Sequence, residues 1–428
     1  MSEDKFDAIV VGAGLAGCTA AYLLAQAGLE TLVIERGNFP GAKNMTGGRL
    51  YAHSLEKIFP NFAEEAPVER CIVHEKISFI DETRSTTLDY ASPEAGDPAN
   101  RSYSVMRSSF DQWLAEKAED AGASIVPGIR VDDLIVRDGK VCGVIAAGEE
   151  MEADVVILAD GVNSILGEKL GLVPKVSPHH CAVGVKEIIQ LSEQQINDRF
   201  GCSGNGGAAW LFAGMPSAGY MGGGFLYTNK ESVSLGLVFG LHNVAEVRKS
   251  VPQMLEDFKN HPTVKPLIEG GSSVEYSGHV VPEGGLAMLP KMVADGVLIA
   301  GDAAGLCLNV GYTVRGMDLA IASGEAAANA VIAAKEKGDF SEGSLSSYKS
   351  ALENSFVMKD MELYRNLPGF LDNTRMYNEY PEMVTGIMND LFTINGASAP
   401  LRKKVMPHLK KVGFMNLIKD GFKGVKSI

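Results

Sequence analysis

Close cysteine pairs are missing from this chain. Its six cysteines (Cys18, Cys71, Cys142, Cys181, Cys202, Cys307) are scattered, with no CxxC spacing. That excludes the usual zinc and iron–sulfur ligand patterns and suggests reduced thiols in a cytoplasm. The eight histidines show no HxxxH or HxH spacing, so no metal site is expected. An excess of positive charge is missing too. The formal net charge is −14, the wrong sign for a wrap-around nucleic-acid binder, so no nucleic-acid partner is expected. No segment reads as an apolar membrane span of about 20 residues. The longest uncharged stretch, Phe200 to Asn229, holds nine glycines and a proline. The opening MSEDKFD carries no basic stretch followed by an apolar one, so no signal peptide is expected.

The chain has 428 residues, 46% hydrophobic and 21% charged, an ordinary globular balance with room for two or three domains. Its first motif is the run from Phe6 to Gly37. Ala8 to Val11 reads as a buried parallel strand. Gly12, Ala13, Gly14, Leu15, Ala16 and Gly17 then form a GxGxxG turn. An Ala- and Leu-rich helix runs to Gly28, and the strand Thr31 to Ile34 ends at Glu35. The three glycines allow, in order, a tight turn, close approach to a pyrophosphate, and close packing of helix on strand. The helix N-terminus attracts the phosphates, and the acid can accept hydrogen bonds from ribose hydroxyls. A dinucleotide is therefore expected; a glycine-tight turn without a ligand is the alternative.

Along the chain, Lys43 to Tyr51 reads as a loop returning toward the nucleotide. Lys76 to Ile80 and Thr86 to Asp89 read as short strands, and Arg107 to Ala121 as a helix with Phe110, Leu114 and Ala118 on one face. Strands follow at Ile125 to Val131, Val141 to Ile145 and Asp154 to Leu158, the last running into ADGVNS. A second sheet-rich block begins at Val183. Its expected strands include Ala208 to Ala213, Gly224 to Thr228 and Ser232 to Val238, with a helix at Val251 to Lys259. VLIAGD at 297–302 then returns to a nucleotide-domain strand, followed by a helix over 316–335.

That late strand separates FAD from NAD. A nicotinamide site is usually complete within one compact unit, whereas the longer FAD needs distant anchors. Gly301-Asp302 can place a carboxylate on a ribityl hydroxyl. A helix starting near Gly316 can aim its N–H groups at the pyrimidine edge of the ring, and Gly305 and Gly311 would let backbone lie close by. Asp302 as a plain helix cap is the alternative.

VVGAGLAG, ADGVNS and IAGDAAG together resemble flavoproteins shaped like p-hydroxybenzoate hydroxylase and geranylgeranyl reductase. GAKNMTGGRLY, VGVKEII, GGGFLYTNKESVSLGLVFGL, MLEDFKNHPTVKPLIEGG and GHVVPEGGLAMLP are similar to the electron-transfer flavoprotein:quinone oxidoreductases, especially the shorter FixC type. The resemblance covers nearly the whole chain. It implies FAD contacts at Gly12, Gly14, Gly17, Glu35, Arg36, Gly47, Gly48, Arg107, Val131, Asp160, Gly161, Gly301, Asp302, Asn309, Gly311, Tyr312 and Thr313. It also implies an electron-transfer flavoprotein as partner, with quinone and a membrane surface as further ones. One departure matters. The longer relatives carry a four-cysteine cluster domain, but this chain has no cysteine after Cys307, so the 4Fe–4S cluster is implied to sit on a small ferredoxin-like protein.

Cys307 itself reads as a thiol near the ring or as a small core residue. No second GxGxxG follows a strand, no disulfide-reductase spacing occurs, and no Ser/His/Asp nucleophile elbow stands out. From Leu401 to Ile428 there are eight Lys or Arg and one acid. Taking out this +7 leaves −21 for residues 1–400 of the total −14. Leu409, Val412, Met415, Ile418, Phe422 and Val425 form an apolar stripe. The segment suits an anionic membrane or an acidic partner, or it packs on the body with its lysines solvated. The glycine-rich 200–229 run reads as core sheet, with a quinone-facing surface as the alternative.

The expected fold is α/β. A discontinuous Rossmann-like FAD-binding domain takes 1–75, 101–175 and 291–340. A mixed, mostly antiparallel second sheet takes 76–100 and 176–290, and a helical region with a basic amphipathic end takes 341–428. The expected function is an FAD-dependent oxidoreductase that takes electrons from an electron-transfer flavoprotein and passes them to a ferredoxin-like partner, to membrane quinone, or both. No side chain need act as an acid–base catalyst, and no catalytic residue is named. The alternatives are an NAD(P)H-linked reductase or monooxygenase of the geranylgeranyl reductase or hydroxylase type, and a non-catalytic flavin redox sensor or docking subunit. The expected location is the cytoplasm, with peripheral contact on the inner face of the plasma membrane left open.

Overall fold

A computed structural model describes residues 5–45 and 47–427. Residues 1–4, Thr46 of GAKNMTGGRLY and Ile428 at the end of the basic segment lie outside the described residues.

Two sheets share the chain. The first has the order Val293–Ala294, Val297–Ile299, Glu149–Leu158, Lys5–Val11, Thr31–Glu35, Ser124–Pro127. The last five run parallel, with Val11 level with both Leu158 and Ile34. Ala8, Ile9 and Val10 are wholly buried, as a strand covered on both faces requires. A hairpin, Val131–Arg137 with Lys140–Ala146, extends the sheet by antiparallel pairing onto Glu149–Glu152. Helix Leu15–Gln26 packs between helices Arg107–Asp120 and Met317–Lys337. The crossing with the late helix is close because Gly324 has no side chain; a Cβ there would sit 2.3 Å from the Ala16 carbonyl oxygen. Met317–Lys337 is long and apolar enough to cross a membrane by composition alone, yet most of it is buried in this core.

The second sheet runs Ser272–Pro282, Cys181–Gln190, Ser232–Gly240, Gly222–Thr228, Gly206–Gly214, Val68–Ile80, Ser102–Val105, Gly48–Tyr51, with Ser85–Ala91 also paired to Val68–Ile80. All pairs are antiparallel except Gly206–Gly214 with Val68–Ile80. The 200–229 run thus supplies two strands, their far side packed by Ile196, Phe200, Met254, Leu255 and Phe258 from helices Glu193–Phe200 and Val251–Asn260.

Three expectations shift. Gly48–Tyr51 is a strand rather than loop, held by pairing with Ser102–Val105. Both strands belong to the second sheet although they fall inside ranges expected for the nucleotide domain, and Val68–Ile80 runs across the expected 75/76 boundary. The cause is tertiary: four-residue runs carry little periodicity, and their partners fix them. From 341 onward the described chain is helical, ending in helices Leu401–Val412 and Phe414–Ser427.

Candidate functional site

The ends of the parallel strands and one face of the second sheet enclose a cavity of about 620 Å³, within the size range of small-molecule sites. Its first wall is the turn after Lys5–Val11. Gly12 has φ +103°, and a Cβ there would lie 2.4 Å from the Ala159 carbonyl oxygen, so no L side chain fits. Gly17 packs beneath it against the Gly12 carbonyl. In front of Gly14 the space is open; a Cβ would meet nothing nearer than Asn44 Nδ2 at 4.0 Å. Gly14 leads into helix Leu15–Gln26, which has no side-chain cap, so its free N–H groups and positive end face the cavity through Gly14, Leu15 and Ala16. Glu35 is buried and occupied by backbone: Ala13 N–H donates to Oε2 at 2.9 Å and Gly37 N–H to Oε1 at 2.5 Å. Arg36 is exposed beside it.

Arg107 enters from its helix and is clamped by Asp111, Nε to Oδ1 at 2.6 Å and Nη2 to Oδ2 at 2.8 Å, while Asn44 Nδ2 donates to Asp111 Oδ2 at 2.6 Å. Gly161 lines the cavity. Neighbouring Asp160 has a buried Oδ1 without a partner, and burial pushes its carboxyl up to about 6.

The late strand supplies the far wall. Gly301 and Asp302 line the cavity, and Gly301 N–H donates to Ser323 Oγ at 2.9 Å. Asp302 caps no helix with its side chain. Burial holds its carboxyl above the usual range, while Arg107 and His279 pull the other way. Asn309, Gly311 and Tyr312 also line the cavity; Gly311 N–H donates to Asn309 Oδ1 at 2.9 Å. Helix Met317–Lys337 begins after Gly316 with no side-chain cap, and Gly316, Met317 and Ala320 face the same space. Gly47 and Gly48 line the opposite side.

Gly14, Leu15, Ala16, Gly47, Gly48, Arg107, Gly161, Gly301, Asp302, Asn309, Gly311 and Tyr312 therefore come together around one cavity. Gly12, Ala13, Gly17, Glu35 and Asp160 stand behind that lining, Arg36 lies exposed outside it, and the Thr313 carbonyl accepts the Val310 N–H at 2.9 Å. Val131 lies apart, buried in the added hairpin. Cys307 lines the cavity, and burial raises its thiol well above the usual range, so it is a protonated wall residue. Two uncapped helix ends, an open glycine surface, a free carboxylate and space between them fit an anionic pyrophosphate, a polyol and a flat ring: the residues fit FAD.

Sequence reasoning missed several lining residues. His279 and Glu283 sit at the end of strand Ser272–Pro282, and Leu367, Phe370, Leu371, Met376 and Tyr377 build an apolar end. Glu283 carried no signal of its own: the strand before it, SSVEYSGHVVP, is largely polar and already holds Glu275. Lys186 was also passed over. It is wholly buried, and its Nζ donates to the Gly47 carbonyl at 2.6 Å. Burial pushes its amine down to about 7.

Comparison with known families gives three matches: an FAD binding domain over residues 5–190, the ubiquinone-binding domain of ETF-QO over 181–281, and the ETF-QO/FixC family C-terminal domain over 367–428. The chain is 60% identical to the probable electron transfer flavoprotein-quinone oxidoreductase YdiS of Escherichia coli K12, with 100% of both chains covered. It is 62% identical to Protein FixC of the same strain, with 99% of each covered. In structure it is similar to a geranylgeranyl bacteriochlorophyll reductase-like protein of Thermoplasma acidophilum, with TM-score 0.74, 20% identity, and 98% and 99% of the two chains covered. It also resembles the myxobacterial halogenase CndH, with TM-score 0.64, 17% identity, and 97% and 90% covered. At these identities the structural likenesses speak for the fold.

Proposed function

The chain belongs to the electron-transfer flavoprotein-quinone oxidoreductase/FixC family and is an FAD-dependent oxidoreductase, and we propose that it takes electrons from an electron-transfer flavoprotein and delivers them to a quinone. One observation carries the reading. A single cavity joins a polar end, built by two helix N-termini and Asp302, to an apolar end built by Leu367, Phe370, Leu371 and Met376. The polar end suits a dinucleotide and the apolar end a lipid-soluble ring.

Bound FAD supplies the capacity to hold electrons received from one partner and release them to another. The residues do the rest. Gly14 and the first turn of helix Leu15–Gln26 hold the pyrophosphate, Asp302 the sugar-alcohol chain, and the N-terminus of helix Met317–Lys337 favours negative charge at the ring's edge. The apolar wall keeps water from the acceptor. Residues 308–428 hold no cysteine, so an iron–sulfur centre in the relay would belong to a small ferredoxin-like partner.

The same reading puts the protein at the cytoplasmic face of a membrane. Phe392, Ile394, Leu401, Met415, Ile418, Phe422 and Val425 are all large and apolar, yet they are 54–82% exposed. Arg402, Lys403, Lys410, Lys419 and Lys426 make no salt bridge among the described residues. A basic surface with outward apolar side chains suits an anionic lipid interface.

Anaerobic stopped-flow tests the electron donor. Bleaching of the flavin by reduced electron-transfer flavoprotein, and slow or no bleaching by NADPH, is expected. Rapid bleaching by NADPH alone would replace this reading with a nicotinamide-linked one.

A further inference from the structure

The structure points to Glu283 as the proton-carrying residue of the redox cavity: its carboxyl gives a proton to a quinone oxygen during reduction, and Asn309 positions it. This rests on the quinone reading above and adds a proton-transferring residue to a site for which the sequence named none.

The geometry is specific. Glu283 follows strand Ser272–Pro282, and its own N–H donates to the His180 carbonyl at 2.8 Å, fixing the backbone. Its side chain lines the cavity where the late loop at Asn309 meets the apolar wall of Leu371, Met376 and Tyr377. Asn309 has one orientation that satisfies its neighbours. Its Oδ1 accepts Gly311 N–H at 2.9 Å, which turns Nδ2 toward Glu283 Oε2 at 3.2 Å. Among the described residues Oε1 makes no hydrogen bond, and no lysine, arginine or histidine forms a salt bridge to this carboxyl. The titratable groups facing it are Cys181 from the neighbouring strand Cys181–Gln190, Cys307 from the loop and Tyr377 from the helical region. None is a cation, so no positive charge among these compensates a carboxylate on this half-buried wall. Burial therefore pushes the carboxyl up to about 7, opposed only by the Asn309 bond. A group poised there can hold and release a proton at working pH.

The step balances. Reducing a quinone to a quinol takes two electrons and two protons. The two electrons originate from the electron-transfer flavoprotein, and one proton comes from solvent. The second proton leaves the Glu283 carboxyl, whose O–H bond breaks as the quinol O–H forms. The carboxylate left behind takes a proton from solvent.

The test uses the FAD-loaded full chain and Glu283→Gln, which keeps an acceptor for Asn309 Nδ2 and should keep FAD content and melting unchanged or better. Single-turnover reoxidation by a short-chain ubiquinone should slow about 100-fold in the variant, with reduction by electron-transfer flavoprotein unchanged. The wild-type rate should fall as pH rises through about 7, and Glu283→Gln should lose that inflection. Asn309→Ala removes the bond that favours the carboxylate, so its inflection should move to higher pH. Infrared difference spectra give a separate readout: a protonated-carboxyl band that titrates near neutrality in wild type and is absent in Glu283→Gln. If the wild type reduces no quinone, the functional reading fails, and the acceptor step of this proposal with it. A Glu283→Gln rate and pH profile within twofold of wild type, or no titrating carboxyl band, would overturn the role of Glu283 itself.

Discussion

Replacing Asp420 by Ala should release the last helix while leaving the flavin domain intact. Asp420 lies on the inner side of helix Phe414–Ser427 and is buried. Its Oδ2 accepts Arg375 Nε at 2.6 Å and Tyr380 Oη at 2.7 Å, and its Oδ1 accepts Arg375 Nη2 at 2.8 Å. The other anchors are weaker. Lys423 Nζ donates to the Gly369 carbonyl at 2.8 Å, and Gly424 rests on the Phe370 ring. The substitution leaves the Arg375 guanidinium, only 27% exposed, without its partner. Breaking a fully buried pair costs about 3–5 kcal/mol; the remaining solvent access brings this to about 2–3 kcal/mol. That is roughly a 30- to 150-fold shift between docked and released helix. Hydrogen exchange reads it directly. Amides of 414–427 should lose protection by about that factor, while those of strand Lys5–Val11 do not change. The pH dependence has a definite sign. The Arg375 and Tyr380 bonds hold the Asp420 carboxyl well below its usual range, so the stabilisation is complete above the ordinary carboxylate pKa. It is lost as pH falls through the folded value. Corrected protection of this helix should be flat from about pH 7 to about pH 5 and decline only in stronger acid. Protection within twofold of wild type in Asp420→Ala would refute the claim that this pair holds the helix.

Other outcomes follow from single residues. Gly12→Ala forces a Cβ to within 2.4 Å of the Ala159 oxygen at φ +103°; flavin content of the purified variant should fall below about a tenth of wild type, because the strained turn costs of order 1–3 kcal/mol and displaces the phosphate-binding backbone. Lys186→Met should stabilise the protein at pH 7 by about 2–4 kcal/mol. The folded amine sits at about 7 against an unfolded value near 10.4, so the native state binds fewer protons. Wild-type stability then rises with pH across that window, and the variant's denaturation midpoint should lose the slope. Met415→Glu with Phe422→Glu should weaken binding to anionic vesicles at least about 100-fold, since each buried side chain contributes about 1.5–3 kcal/mol. Turnover with a water-soluble quinone should be unchanged, and flotation with vesicles checks the first half.

The nucleotide half of the fold was legible because its signals are local. Strand, Gly12, Gly14, helix and Glu35 follow one another in order, and VLIAGD repeats the strand-then-acid pattern. The short strands Gly48–Tyr51 and Ser102–Val105 were not, because four residues show no period and their pairing partners are distant in sequence. The candidate site divides the same way. Asp302 could be named from its own strand, whereas Glu283 becomes distinctive only beside Asn309, which the fold brings within 3.2 Å. At the C-terminus the apolar stripe was visible but its direction was not. Val412 turns inward with Asp420, while Met415, Ile418, Phe422 and Val425 turn outward. The segment is thus packed on the body through a polar pair and presents its apolar side to the surroundings.

The central claim is that one cavity holds FAD and joins an electron-transfer flavoprotein to a quinone. Anaerobic turnover with reduced electron-transfer flavoprotein and a short-chain ubiquinone, followed by quinol formation, tests it directly. Purified protein with close to one FAD per chain should produce quinol only when donor and chain are both present. Protein that folds but takes up no flavin, or that holds flavin and yields no quinol from this donor, would contradict the account.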